Sequence, residues 1–249
     1  SFVANGKTFD GTNPWEFIDV VEIADSLQGK GATVRLRDTS DASLKIQVEL
    51  SYLLYPNSAG IRKYMKIINT GDDTIKLESV DIEKLHAGFT FQEVYGKYGR
   101  ERQAIPYTGN WHDMLVIAHD NDNSKGILLG NESPGVLKRT NVQDNSFAIG
   151  LTHASKSYAF RKYIAPGESW TSPVVFTLPY ANASDPQTVL NGQLSDFIRK
   201  HLGARIVKHE KSVLTYNTWN PFDSYINKSL LESYIPVAAA CGFEIFTID

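Results

Sequence analysis

Apolar and polar residues alternate along most of this chain, and that two-residue period constrains its fold more than any other feature. Successive side chains of a strand point to opposite faces of a sheet, so runs with this period predict half-buried strands. Four such runs, separated by turn sequences, are residues 32–37, 44–50, 61–68 and 74–82. No helical periodicity interrupts the pattern between Phe2 and about Tyr180. The sequence therefore predicts a mainly β protein, with an antiparallel sandwich over this region.

Composition narrows the class of protein further. The 249 residues allow one large domain or two modest ones, and 42% hydrophobic with 11% aromatic residues can build a substantial core. The net charge of −3, with scattered Lys and Arg, argues against a nucleic-acid or anionic-membrane surface. No apolar run approaches the roughly 18 residues of a membrane helix. The single Cys241 excludes internal disulfides, which is compatible with a cytoplasmic, periplasmic or secreted location.

The loop from His119 to Gly126 is the strongest candidate for a metal site. Its acidic and polar residues alternate as in an EF-hand, but Lys125 and Asn131 occupy the positions where that motif has Gly and Glu. Apolar runs flank the loop on both sides, which favours a β-hairpin turn. The six His residues show no paired zinc spacing. We therefore expect no metal and no cofactor.

The pattern becomes helical after Ala183. Asp185 can cap a helix, and Pro186 suits its first turn. Apolar residues then fall on one helical face, at Leu190, Leu194, Phe197, Ile198 and Leu202, and Gly203 supplies a stop. We expect a helical linker over residues 183–208, after a sandwich over residues 1–182.

The pattern of the last segment, residues 209–249, predicts a strand, a loop, a helix and a second strand. Residues 212–219 are strand-like, Lys228 to about Ala240 is helical, and residues 243–248 form another apolar run after Gly242. Pro236 should kink or split the helix. A βαβ unit pairs its strands in parallel, and one such unit cannot bury both faces of its sheet. We expect the start of an α/β domain, truncated after its second strand.

Six short segments of the chain have a distinctive composition: YGRERQ at 98–103, GNWH at 109–112, APGESW at 165–170, NGQLSDFIRKH at 191–201, NTW at 217–219 and FTID at 246–249. They resemble segments of glycoside hydrolase family 36, the α-galactosidases or melibiases. Their order and spacing also resemble the family from about residue 95 onward. Trp111 departs from it, because the family usually has Ser there. The first ninety residues match only in their β-rich character.

The resemblance implies an N-terminal β-supersandwich, a helical linker and the first βαβ unit of a (β/α)8 catalytic barrel. It implies a retaining glycosidase that cleaves terminal α-linked galactose from oligosaccharides. The nucleophile and the acid/base of this family lie on later barrel strands, so we expect no catalytic residue within this chain. The chain alone should therefore be inactive.

The same resemblance suggests substrate-binding residues. Active sites of such barrels lie at the C-terminal ends of the strands, so Trp219 and Asp249 should face the same mouth. Trp219 would support the apolar face of the sugar, and Asp249 would accept hydrogen bonds from its hydroxyls. The alternatives are packing at the barrel rim for Trp219 and capping of a following helix for Asp249. Trp111 is a further candidate at the rim of the site.

The charged residues Arg100, Glu101 and Arg102 alternate across a predicted strand. This alternation favours a structural ion-pair network over an acid/base cluster.

Two alternative functions are a carbohydrate-binding sandwich without catalysis and an oligomerisation domain. The expected partners are an α-galactoside oligosaccharide and a second copy of the chain, with neither nucleic acid nor membrane.

Overall fold

A computed structural model describes residues 1–40, 43–96, 99–102, 108–111, 114–133, 137–151, 160–202 and 213–249, with the backbone alone for 99–102 and 108–111. The chain divides into two compact units, Ser1–Leu202 and Gly203–Asp249.

The first unit consists mainly of short strands. In the described residues they are β1 (Phe2–Ala4), β2 (Lys7–Phe9), β3 (Trp15–Ala24), β4 (Lys30–Asp38), β5 (Ile46–Leu54), β6 (Ile61–Asn69), β7 (Ile75–His86), β8 (Glu93–Gly96), β9 (Gly99–Arg102), β10 (Thr108–Trp111), β11 (Leu115–Asp120), β12 (Lys125–Asn131), β13 (Lys138–Gln143), β14 (Ser146–Leu151), β15 (Arg161–Ile164), β16 (Ser169–Thr171) and β17 (Val175–Tyr180).

These strands form two antiparallel sheets. One has the order β10-β13-β14-β7-β1-β2, with β15 also paired to β7. The other has the order β3-β4-β5-β6-β17-β12-β11-β8-β9, with β16 also paired to β6. The four alternating runs of the sequence correspond to β4, β5, β6 and β7. The prediction of a mainly β, antiparallel sandwich is therefore confirmed.

The main core contains residues of both sheets. Buried side chains recur at every second position in β6, because one face of that strand points inward. In β5 the buried face changes between Val48 and Ser51. Ile46 and Ile67 from one sheet and Leu77 and Ile149 from the other are fully buried in a single cluster. The predicted turn at His119–Gly126 joins β11 to β12, which pair as a hairpin from Leu115↔Gly130 to Asp120↔Lys125.

A helical segment packs on this unit through a second apolar cluster. It comprises α1 (Pro186–Val189), a wider π-helical turn (Leu190–Leu194) and α2 (Ser195–His201). The Asp185 carboxylate accepts the Gln187 N–H at 2.9 Å, as predicted for its cap. The fully buried Phe197 ring lies 5.6 Å from that of Tyr55 and 5.3 Å from that of Phe176. The sequence did not indicate the π turn, and residues 203–212, which include the predicted Gly203 stop, lie outside the described residues.

The second unit contains β18 (Thr215–Asn217), α3 (Trp219–Phe222), α4 (Lys228–Ala240) and β19 (Ile245–Thr247). The strands pair in parallel with Thr215↔Ile245 and Asn217↔Thr247, which confirms the predicted strand–helix–strand arrangement. The rings of Tyr216 and Phe246 stack across the pair at 5.0 Å.

Helix α4 begins and ends with recognisable caps. The Asn227 side chain accepts the Leu230 N–H at 3.0 Å. At the other end Gly242 adopts a φ of +88°, a left-handed conformation that favours glycine. Its N–H donates to the Ala239 carbonyl at 3.0 Å and the Phe243 N–H to the Ala238 carbonyl at 3.1 Å, which is a Schellman motif.

Of the predicted kink or split at Pro236, the split is wrong, because α4 continues through Pro236 from Lys228 to Ala240. Glu232, whose carbonyl loses a helical partner to the proline, is exposed, so water can satisfy that carbonyl. The strand predicted over 212–219 is also shorter, because Trp219 begins α3 instead of extending β18.

Two negative observations hold for the described parts of the chain. No helix there is both long enough and apolar enough to cross a membrane. Nor do three or more His, Cys, Asp or Glu side chains there form a set that could hold a metal ion.

Candidate functional site

Four residues meet at the C-terminal edge of the parallel pair. Asn217 ends β18, Thr218 and Trp219 follow it, and Asp249 lies two residues beyond the end of β19. Because parallel strands place their carboxyl ends at the same edge, the register Asn217↔Thr247 brings the two chain segments together. The structure thus places Trp219 and Asp249 in one cluster, which we call the edge cluster (Asn217, Thr218, Trp219 and Asp249).

The Asn217 carboxamide bridges the cluster. Its Nδ2 donates to Asp249 Oδ2 at 2.9 Å, and its Oδ1 accepts the Trp219 N–H at 2.8 Å. The second bond is local and turns the chain directly after β18. This turn is the physical reason why Trp219 lies on α3 and not on the strand.

Thr218 ties the ends of the two strands together from a fully buried position. Its Oγ1 accepts the Asp249 N–H at 3.0 Å, and its own N–H donates to the Thr247 carbonyl at 3.1 Å. Sequence reasoning gave neither Asn217 nor Thr218 a role. Two hydrogen-bonding side chains directly after a predicted parallel strand are the signal that could have identified them.

The edge cluster exposes one aromatic side chain and one carboxylate to solvent. The Trp219 side chain is 53% exposed, so one aromatic surface is open to solvent. Asp249 is exposed too. Its N–H donates to Thr218 Oγ1 and its Oδ2 accepts from Asn217 Nδ2, so among the described residues only its Oδ1 is left to accept a further hydrogen bond. An exposed tryptophan and a carboxylate in one cluster suit a sugar, which has apolar C–H faces and hydroxyl donors. The cluster offers one side-chain carboxylate, whereas retaining glycoside hydrolysis uses two.

The third predicted site residue, Trp111, is the last residue of β10. Its backbone pairs with Thr140 of β13, and its side chain lies outside what the structure describes. The side chains of Arg100, Glu101 and Arg102 on β9 lie outside it as well.

The first unit contains a different cluster of charged groups. Tyr55 donates its hydroxyl to Asp25 Oδ2 at 2.6 Å and accepts from Arg62 Nη1 at 3.0 Å. Arg62 also binds Glu132 through Nε at 2.9 Å and Nη2 at 2.6 Å. Every charged member has a partner of opposite charge, as expected of a structural network.

Burial and hydrogen bonding shift the pKa values of Tyr55 and Asp25 in this network. Burial, with the hydrogen bond to Asp25, raises the pKa of Tyr55 to about 12. Burial also acts to raise the pKa of Asp25. The hydrogen bonds from Tyr55, Gly29 and Leu27 outweigh that effect, however, and leave the pKa of this carboxyl below its ordinary value. Perturbed pKa values often mark functional sites, but here they follow from pairing within the fold.

A cleft of about 830 Å³ lies beside this network, between α2 and the loops that follow β3 and β5. Lys200 and Asp196 form an ion pair at its rim with an N···O distance of 3.4 Å. The buried His201 ring is hydrogen-bonded through Nδ1 to the Leu27 carbonyl at 3.2 Å. The ion pair and the His201 hydrogen bond thus engage three of the polar groups that line the cleft.

The fold is similar to that of several solved α-galactosidase structures. For the enzyme from Lactobacillus brevis the TM-score is 0.65 at 13% identity, covering 100% of this chain and 37% of that chain. For the GH36 enzyme AgaA of Geobacillus stearothermophilus, solved with stachyose, the TM-score is 0.62 at 14% identity, covering 100% of this chain and 39% of that chain. For the galactosidase domain of the α-galactosidase–sucrose kinase AgaSK the TM-score is 0.63 at 19% identity, covering 99% of this chain and 36% of that chain.

These similarities concern the fold. No family model matches the sequence, and no curated protein does. The chain spans little more than a third of the length of the solved structures that it matches. The resemblance to family 36 that the short motifs indicated is thus confirmed at the level of the whole chain's fold.

Proposed function

We propose, from the fold that this chain shares with GH36 α-galactosidases, that it is part of a retaining glycoside hydrolase. That enzyme would remove terminal α-linked galactose from oligosaccharides. The observation that carries the proposal is the edge cluster, in which an exposed Trp219 and the Asp249 carboxylate lie at the C-terminal edge of a parallel strand pair. Solved structures with this fold contain stachyose and raffinose, which supports an α-galactoside as the substrate class.

Each residue of the edge cluster would have a distinct role toward the sugar. The Trp219 ring would lie against the apolar C–H face of the galactose ring. Asp249 would accept a hydrogen bond from a ring hydroxyl, which is a charge-assisted bond and stronger than a neutral one. Trp111 would contribute at the rim of the site.

The chemical step would need groups from elsewhere in the enzyme. A retaining glycosidase uses a nucleophile and an acid/base whose carboxyl groups are about 5–5.5 Å apart. We place both on barrel strands after residue 249, so Asp249 binds substrate and is not the nucleophile. The 249-residue chain alone would hydrolyse nothing.

The second unit would be the beginning of a (β/α)8 barrel, with β18 and β19 as its first two strands. Its exposed apolar side chains support this. Leu214 and Ile245 near the strands and Val237 on α4 are each about half exposed. In a complete barrel, helices cover the outer face of the parallel sheet and side chains of the other strands fill the interior. Such apolar side chains would then be buried.

A second role, oligomerisation through the β-sandwich, is favoured by the outer strand β3. That strand pairs with β4 on one side and exposes the apolar residues Phe17 and Val20. This role is compatible with the first, since it uses a different part of the chain. Binding of a sugar by the sandwich without catalysis is the alternative to the enzyme.

The proposal is tested on the complete product of the gene, after reading the codons that follow Asp249. We expect Asp-Gly-Trp directly after it, then further strand–helix repeats. The complete protein should hydrolyse an aryl α-galactoside, and Asp249→Ala should lower kcat/KM by at least about a hundredfold because a charged hydrogen-bond partner is lost. Trp219→Ala should lower it as well.

The matched control is Asp72→Ala, which removes a carboxylate that is 97% exposed and should leave the rate unchanged. A complete protein without α-galactosidase activity would contradict the proposal. Turnover by the 249-residue chain alone would contradict the placement of the catalytic carboxyl groups.

A further inference from the structure

Asn217 is the one side chain that contacts both proposed sugar-binding residues within the edge cluster. It is separated from Asp249 by 32 positions in the sequence and from Trp219 by two. The long-range bond exists only because β18 and β19 are parallel neighbours. The short-range bond closes the turn into α3. One carboxamide thus joins the two segments that carry the exposed ring and the carboxylate.

The chemistry of the partners fixes the orientation of this carboxamide. The Trp219 backbone N–H can only donate, so it must face the Asn217 oxygen. The Asn217 nitrogen then faces Asp249, whose ionised carboxylate can only accept. In the opposite orientation the Asn217 nitrogen would face the Trp219 N–H, donor against donor. The Asn217 oxygen would then face the Asp249 carboxylate, acceptor against acceptor. The assignment of Oδ1 and Nδ2 therefore follows from the network itself.

The two anchors on Asp249 act on different parts of the residue. Thr218 Oγ1 holds its backbone N–H at 3.0 Å, and Asn217 Nδ2 holds Oδ2 at 2.9 Å. Together they restrict the rotation of the carboxylate and occupy one of its oxygens. The other oxygen, Oδ1, is left to accept a hydroxyl from the ligand. A group held in its binding orientation loses less conformational entropy when the ligand arrives.

We propose that Asn217 is a positioning residue that fixes the Asp249 carboxylate for a galactose hydroxyl while it holds the start of the Trp219 helix. This inference rests on the proposed function. It adds that Asp249 Oδ1 is the oxygen that meets the sugar. It also adds that sugar affinity depends on a side chain that does not itself touch the sugar.

Two substitutions in the complete protein separate the two bonds of Asn217. Asn217→Ala removes both. Asn217→Asp keeps an oxygen for the Trp219 N–H but replaces the donor toward Asp249 by a second carboxylate oxygen. If Asn217 positions Asp249, both variants raise KM for an aryl α-galactoside by about ten- to hundredfold, with a smaller change in kcat. The bond to the hydroxyl is present before and during the reaction, so its loss weakens binding more than turnover.

Asn220→Asp is the matched control, because it adds the same charge at an exposed position of α3. Wild-type KM for Asn217→Asp beside a raised KM for Asn217→Ala would overturn the proposal, since Asn217 would then serve only the turn at Trp219. Wild-type KM for both variants would overturn it too. Full activity in Asp249→Ala would contradict the proposed function. Lost activity in Asp249→Ala together with unchanged KM in the Asn217 variants would contradict only the positioning role of Asn217.

A measurement on the 249-residue chain keeps the inference testable even where an Asn217 variant fails to fold. In an NMR spectrum of the ¹⁵N-labelled wild-type chain, the Asn217 side-chain amide protons report their hydrogen-bond partner. Asp249→Ala should shift the Asn217 amide resonances, and Asp72→Ala should leave them in place. Unchanged Asn217 resonances in Asp249→Ala would show that the bond is absent and would overturn the inference.

Discussion

At the scale of single residues, Tyr55 shows how one hydroxyl can serve two charged groups. It donates to Asp25 and accepts from Arg62, so it uses both of its hydrogen-bonding capacities in a buried position. Removal of the hydroxyl leaves a carboxylate and a guanidinium each short of a partner. Such a loss costs more than the bond itself contributes, because the abandoned groups remain partly desolvated.

Tyr55→Phe should therefore lower the free energy of unfolding by about 1–3 kcal/mol at neutral pH, measured by urea denaturation. Tyr163→Phe, at an exposed position of β15, is the control and should change little. A Tyr55→Phe variant as stable as the wild type would show that the hydroxyl is not a structural link.

The same residue predicts a change in alkaline stability. The ordinary pKa of tyrosine is 10.0, and that of Tyr55 is raised to about 12. Between these values the folded chain keeps a proton that the unfolded chain has lost, so the free energy of unfolding falls as the pH rises through this window. Below pH 10 that contribution is fully present. Because Tyr55→Phe has no such proton, its stability should fall less steeply there, and parallel curves for the two proteins would contradict this assignment.

At the scale of elements, the helical segment is fitted closely to the sandwich. Gly60 precedes β6, and a Cβ atom added to it would lie 2.4 Å from the ring of Phe197 on α2. That ring is fully buried against Tyr55 and Phe176, so it has little room to move. Close packing of this kind makes an added methyl group unfavourable.

Gly60→Ala should destabilise the chain by about 1–3 kcal/mol through overpacking, seen as a lower denaturation midpoint. Gly88→Ala is the matched control, because a Cβ atom there would meet nothing within 4 Å. Adding Phe197→Leu to Gly60→Ala should recover part of the loss by making room. Equal stability of the Gly60→Ala and Gly88→Ala variants would show that α2 does not depend on this contact.

The sequence predicted those elements whose pattern is local. Alternation predicted β5 and β6, because successive side chains of a strand point to opposite faces. Asp185 and Pro186 predicted the start of α1, because capping involves only neighbouring residues. The continuity of α4 through Pro236 was not predicted, since it depends on the exposure of the carbonyl that the proline leaves without a partner.

The edge cluster was predictable only in part, for the same physical reason. Motif resemblance pointed to Trp219 and Asp249, and the predicted parallel pairing placed them at one edge. The bridge through Asn217 was missed, because its bond to Asp249 spans 32 residues and requires the exact register of β18 and β19. The turn that moves Trp219 from the strand to α3 depends on the same side chain.

At the scale of the whole molecule, the outer strand β3 has the features of an interface. In the described residues it pairs only with β4, and it exposes Phe17, Ile18, Val20 and Val21. Unpaired charges usually protect such an edge from other strands. Of the three carboxylates of β3, two are engaged, since Asp19 pairs with Arg35 at 3.3 Å and Glu16 with Arg37 at 3.2 Å, and Glu22 is exposed.

The sequence of β3 is also compatible with pairing to its own copy. In an antiparallel twofold arrangement centred on Val21, Val21 meets its own counterpart and Asp19 lies opposite Ile23. Centring on Asp19 would instead place that carboxylate against itself, and like charges directly opposite each other are unfavourable. A twofold pair buries the β3 edge of both copies, so no β3 edge is left to bind a third copy. The assembly therefore closes as a dimer.

We therefore expect the protein to dimerise through β3, which sedimentation velocity over a range of concentrations can show. Val21→Lys would place two lysines against each other at the twofold axis and should weaken the dimer by at least about tenfold in Kd. Leu54→Lys is the matched control, because Leu54 is also an exposed apolar residue but ends β5, an inner strand. A wild-type protein that stays monomeric, or a Leu54→Lys variant that dissociates as readily as Val21→Lys, would contradict the role of β3. In the first case the apolar residues of β3 would need another partner, such as a further segment of the enzyme to which this chain is proposed to belong.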